Sequence, residues 1–122
     1  MCPSVLVVDS DLPSAKLTRV VLEADDWRVM HAPDREHARE VLKHVLPDVI
    51  VTGLVVAHAD ALVLIRELKA MVGDVPVVAV TSFYGSDIEH HALSAGCAGF
   101  ITKPIDVAQF SAQLRAFLGD AP

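Results

Sequence analysis

The side chains that could do chemistry sit at the ends of short apolar runs. Asp9-Ser10-Asp11 places a carboxylate, a hydroxyl and a second carboxylate directly after Val5-Leu6-Val7-Val8. Gly53 follows Val49-Ile50-Val51-Thr52, Thr81 and Ser82 follow the run from Val75 to Val80, and Lys103 follows Phe100-Ile101-Thr102. If those runs are parallel strands, their carboxyl ends share one edge, where ligands gather in open α/β sheets. Each residue also has a plainer use. Asp9 could cap the first helix or pair with Lys103, which would then be a structural ion-pair partner. Thr81 and Ser82 could satisfy backbone groups in the next turn, Phe100 could be ordinary core, and Asp11 could cap a helix or supply one weak metal contact.

The remaining reactive residues point to less. His58 lies on the loop after Gly53, whereas histidines that carry phosphoryl groups usually sit on helices. His90 and His91 are adjacent on a helical stretch, so they cannot face one ligand together. Cys2 and Cys97 are far apart with no CxxC or Cys/His spacing, which reads as two free thiols in a reducing compartment.

The elements that must position these groups follow from the hydrophobic pattern. Residues 5–8, 27–31, 49–52, 75–80 and 100–102 are apolar, largely β-branched runs suited to strands buried on both faces. Helical stretches alternate with them. The first runs from Pro13 to about Ala24, capped by Asp11 or Leu12, with Leu17, Val20, Val21 and Ala24 on one side. The second covers 34–46 with Ala38, Val41, Leu42 and Val45 inward, and Pro47 ends it. Asp60 is placed to cap the third, which carries Leu62, Ile65, Leu68, Met71 and Val72 on its buried side. Residues 86–95 make the fourth, closed by Gly96. The last carries Val107, Phe110, Leu114, Phe117 and Leu118 at helical spacing.

Five strands alternating with five helices predict one α/β domain over residues 1–122, with 119–122 a linker or tail. The sheet is expected to be parallel, five-stranded and doubly wound. Of the 122 residues, 52% are hydrophobic and 21% charged, enough apolar material for a single core and too little charge for disorder. The net charge is −6 and the ten Lys and Arg residues are scattered, which argues against direct nucleic-acid binding. No apolar run approaches the ~20 residues of a membrane span. The N-terminus lacks the basic lead-in of a secretory signal, so a cytoplasmic location is expected.

Four of these segments, in order and at matching spacing, resemble the receiver domains of bacterial response regulators. Val5 to Asp11 resembles the family's first strand and acidic turn. Pro47 to Leu54 is similar to its third strand, which normally ends in Asp-Leu. Pro76 to Ser82 resembles the strand that carries a switch Thr, and Ala95 to Pro104 the last strand with its Lys-Pro pair. The resemblance spans essentially the whole chain and implies a flavodoxin-like receiver fold and a place in two-component signalling or a phosphorelay. It also implies a chemistry. An Asp at the end of the third strand takes a phosphoryl group around Mg²⁺, a Lys neutralises the growing charge, and a Thr and an aromatic residue relay the change to a distant face.

Carried over residue by residue, the resemblance leaves that site incomplete. Asp9 matches the first acid, Thr81 the switch hydroxyl, Phe100 the switch aromatic and Lys103 the charge neutraliser. Ser10 stands where a second, metal-binding acid is usual, and Gly53 stands where the phosphoacceptor Asp belongs. Ala57 replaces a usual Pro and Ala61 the Gly after Asp60. Asp9, Ser10, Gly53, Thr81 and Lys103 are thus expected to form a degenerate phosphorylation pocket without catalytic residues. Mg²⁺ should bind weakly or not at all, with Asp9 and Asp11 the remaining weak candidates.

The expected function is that of a phosphorylation-independent protein-interaction module and not an enzyme. Its partner would bind the face formed by residues about 86–118, with Phe110 and the 83–87 loop as anchors, and an output domain could be fused to it. Two alternatives use the same residues. One is a receiver phosphorylated at an unusual residue such as Asp9 or Asp11. The other is a small phosphatase resembling the haloacid dehalogenases, with Asp9 as nucleophile and Asp11 as acid. That second pattern needs a further acidic strand end after Lys103, where only one helix follows, and a cap insert that is also missing.

Overall fold

The valine-rich runs do form the sheet. The structure is a computed structural model that describes residues 3–53, 59–81, 90, 93–102 and 105–118. Five strands, β1 (Ser4–Val8), β2 (Arg28–Ala32), β3 (Val49–Gly53), β4 (Val77–Thr81) and β5 (Gly99–Thr102), pair in parallel in the order β2-β1-β3-β4-β5. Four helices are described: α1 (Leu12–Glu23), α2 (Arg35–His44), α3 (Ala59–Val72) and α4 (Phe110–Arg115). The fourth of the five expected helices, over 86–95, falls mostly outside the described residues. The backbone of 90, 93 and 94 is helical, and Gly96 after them has a φ of +116°, the left-handed region that suits the expected glycine cap.

Alternation along each strand divides the core in two. On one face Leu6, Val8, Ala32, Ile50, Val77 and Ala79 pack against Ala38 of α2 and Ile65, Leu68 and Val72 of α3. On the other, Val5, Val7, Val29, Val51, Val78 and Val80 pack against Ala15, Val21 and Leu22 of α1 and Phe110 and Leu114 of α4. Both faces are covered by helices, which is why the strands read as unbroken apolar runs.

Several inward assignments of the helical residues are corrected. Leu17 and Val20 of α1 point to solvent, and Ala24 is exposed. The buried side is Ala15, Thr18, Val21 and Leu22; hydropathy alone hides it, because two of its four members are small or polar. Val45 lies beyond the end of α2 and is exposed, as is Met71 on α3. Helix α3 begins at Ala59, which puts Asp60 inside its first turn and not at the cap. Val107 is exposed in a turn before α4, where the Asp106 carboxylate accepts from the Ala108 N–H at 3.0 Å and its carbonyl from the Gln109 and Phe110 N–H groups. Among the described residues no helix is long and apolar enough to cross a membrane.

Candidate functional site at the carboxyl edge

The strand order, not the strand direction, reverses at β1: β2 lies on one side of β1 and β3 on the other. A crevice at the carboxyl end of such a pair is the place where doubly wound sheets bind ligands. The register Val8↔Thr52 makes Asp9 and Gly53 neighbours there. On the far side Gly53 is paired with Val80, so Thr81 also reaches this edge, and Thr81 is itself paired with Thr102 of β5.

Asp9 is the best-defined group of the site. Its N–H donates to the Ala32 carbonyl at 3.1 Å, extending the β1–β2 ladder by one residue. Its carbonyl accepts from Nε2 of His31 at 2.9 Å; because a carbonyl oxygen can only accept, the ring proton must lie on Nε2. Its carboxylate oxygen Oδ1 accepts from the Asp11 N–H at 2.9 Å, closing an Asx turn over Ser10. The expected cap of α1 by Asp9 is therefore a bond to the residue ahead of the helix. Asp11 holds the N-cap position, but its side chain makes no capping bond. Ser10 and Asp11 are both exposed.

The Asp9 carboxylate also lies directly above Gly53. A Cβ built on Gly53 would stand 2.7 Å from Asp9 Cγ, 2.7 Å from Oδ2 and 2.9 Å from Oδ1, closer than such atoms approach. The Gly53 backbone is not in the left-handed region, so no dihedral requires glycine there. What keeps the space free of a side chain is the carboxylate of the neighbouring strand end. One residue earlier, Thr52 is fully buried and its hydroxyl has no hydrogen-bond partner among the described residues.

The other expected residues separate. Phe100 on β5 is half-buried and packs against the α2–α3 side of the core, in keeping with its plainer reading. Lys103, Ser82 and His58 lie outside the described residues, as do His91, Cys2 and the 83–87 loop; His90 is exposed. Cys97 is a free, buried cysteine, and burial pushes its thiol up to about 11, so it is not a reactive thiolate near neutrality. Phe110, expected as an exposed anchor, is fully buried between α4 and the sheet and cannot contact a partner. His31 was not singled out from the sequence. The one signal in the sequence was its place at the end of the 27–31 run; its register with Val7, which sets it beside the start of the acidic turn, came from the structure.

Comparisons with known proteins agree with this architecture. The sequence profile described as "Response regulator receiver domain" matches residues 5–115. The polar-differentiation response regulator DivK of Brucella ovis is 28% identical over 123 residues, covering 99% of this chain and 100% of that protein. A crystal structure of a response regulator from Thermotoga maritima has a TM-score of 0.90 at 22% identity, covering 98% of this chain and all of that one. A CheY-like receiver domain protein from Methanospirillum hungatei has a TM-score of 0.85 at 16% identity, over 97% and 94% of the two chains. At those identities the structural likeness speaks for the fold alone.

Proposed function

Because this chain belongs to the response regulator receiver domain family, we propose that it is a receiver that works without phosphorylation, as a protein-interaction module in two-component signalling. Gly53 stands in the place of the phosphoacceptor Asp. One observation carries the reading: the strand end that should present a nucleophile has no side chain, and the Asp9 carboxylate fills the space such a side chain would enter. A phosphoryl group has no acceptor at position 53.

The same inventory bears on Mg²⁺, which takes oxygen ligands in near-octahedral array. Asp9 offers one carboxylate, already engaged by the Asp11 N–H, and Asp11 an exposed one at the start of α1; Ser10 offers only a hydroxyl, and Gly53 offers nothing. Among the described residues no group of three His, Cys, Asp or Glu side chains could hold a metal. These donors do not fit the family's metal site, so no step of the proposed function runs through Mg²⁺; the role we propose is that of a signalling module, as is usual for receiver domains. Receiver domains interact with proteins. The partner surface we assign is the face of residues about 86–118, without Phe110 as an anchor, and an output domain attached in a longer protein remains compatible with it. The family match favours this reading over a phosphatase built on Asp9 and Asp11.

The test is incubation with acetyl phosphate and Mg²⁺, followed by intact mass, with Gly53→Asp treated in parallel. The expected result is no phosphoryl adduct on the native chain. An adduct would sink the proposal, and mapping it to Asp9 or Asp11 would establish a displaced nucleophile.

A further inference from the structure

Helix α1 carries an exposed apolar seam that its own fold does not use. Pro13, Leu17, Val20 and Ala24 are all exposed, Leu17 at 48% and Val20 at 57%. They recur at steps of four, three and four, the spacing by which one helix packs along another. Beside the seam, a groove of about 430 Å³ between α1 and α4 has Val20, Ala24, Val107, Ala108 and Ala112 in its lining, with Asp25, Ser111 and Arg115 as its polar members, and widens the strip. Contiguous exposed apolar surface of this kind marks an interaction site.

The charges around the seam say what fits it. The positive groups Lys16 and Arg19 both precede the negative groups Glu23, Asp25 and Asp26, which lie at and beyond the end of α1. Its first turn has no acid and its last turn no base. This order is the reverse of what the helix dipole favours, so it does not serve the helix by itself. It does suit an identical helix laid alongside in the opposite direction.

We propose that α1 is a self-association surface on which a second copy of this chain packs antiparallel. The contact is isologous. In the register that sets Leu17 against the partner's Val20, Pro13 meets the partner's Ala24 and Lys16 meets the partner's Glu23, and each contact occurs twice. Glu23 is within 3.2 Å of Arg19 of its own chain, an exposed pair that leaves the carboxylate accessible. A twelve-residue helix is only about 18 Å long, so the interface is small and the dimer is a weak one. The inference uses neither Asp9 nor Gly53, so it and the proposed function can fail separately.

Sedimentation of the full chain over micromolar to millimolar concentrations tests it, with thermal melts to confirm folding. The native chain should form dimers, and Leu17→Glu and Val20→Glu should each weaken them by more than roughly tenfold without lowering the melting temperature, since both sites are exposed. Lys16→Glu alone and Glu23→Lys alone should be monomeric, because each sets like charges face to face. Mixed together they should form a heterodimer, because both ion pairs then return. A native chain that stays monomeric at millimolar concentration overturns the proposal. So do dimers indifferent to Leu17→Glu, or a mixture that does not associate; a partner of another kind would then own the seam.

Discussion

The two edges of the sheet are built on different terms. At the amino edge polar side chains are tied down by the protein. The Trp27 indole N–H donates to Ser111 Oγ at 2.8 Å, the Ser111 hydroxyl donates to the Asp25 carboxylate, and Arg115 donates to the Asp25 carbonyl at 3.0 Å while its guanidinium stacks over the Trp27 ring at 5.3 Å. Ser4 and Asp48 exchange bonds across the starts of β1 and β3: the Ser4 N–H donates to Asp48 Oδ2 at 2.8 Å and the Asp48 N–H to Ser4 Oγ at 3.1 Å. Lys69 closes on the Val75 carbonyl at 3.2 Å ahead of β4. Among the described residues of the carboxyl edge, Ser10 and Asp11 are exposed, Gly53 has no side chain, and the Thr52 hydroxyl is buried without a partner. One edge holds the fold together; the other gives up stability at the place where this fold puts its ligands.

Breaking the amino edge should therefore have the largest effect. Trp27→Ala empties a buried aromatic site and strips Ser111 of its donor, and should cost about 3–5 kcal/mol in urea unfolding. A loss under about 1 kcal/mol would mean that this edge is not the stabilising one. Next in size is a gain at the opposite edge. Thr52→Val keeps the shape and removes the unpaired hydroxyl, and should raise stability by about 1–3 kcal/mol in the same measurement. If it destabilises, the hydroxyl has a use that the carboxyl edge depends on. The smallest change is expected from Gly53→Ala. The new methyl must push the Asp9 carboxylate aside, which a turn of that short side chain accomplishes at the expense of its bond from the Asp11 N–H, so stability should fall by about 1 kcal/mol. The readout is the Asp11 amide resonance, which should shift as its acceptor moves; an unchanged amide would show that the carboxylate does not lie over Gly53.

Most of the scaffold was legible because it rests on local patterns. Each valine run became a strand to within a residue or two, and Gly96 took the left-handed conformation expected of a cap. Parallel order followed from strict alternation of strands with helical stretches, since a crossover must cover a sheet face. The faces of α1 were not legible. A hydropathy reading buries Leu17 and Val20, whereas the sheet selects Ala15 and Thr18, whose small side chains let the helix sit close. Phe110 was placed on the surface as an anchor, but α4 turns it fully into the core.

At the site the division is just as clear. By itself the sequence determines which groups exist: acids at Asp9 and Asp11, a hydroxyl at Ser10, and no side chain at 53, an inventory that no folding can enlarge. That these residues follow strands, and hence share an edge, is also written in the pattern. Only the tertiary structure decided that the Asp9 carboxylate lies over Gly53, that His31 reaches the Asp9 carbonyl, and that Thr52 keeps an unpaired hydroxyl. The reason is physical. Residue types and periodicity act along the chain, whereas the register of β1 against β3 and β2 is set by the packing of two whole faces, and side-chain direction at a strand end follows from that register.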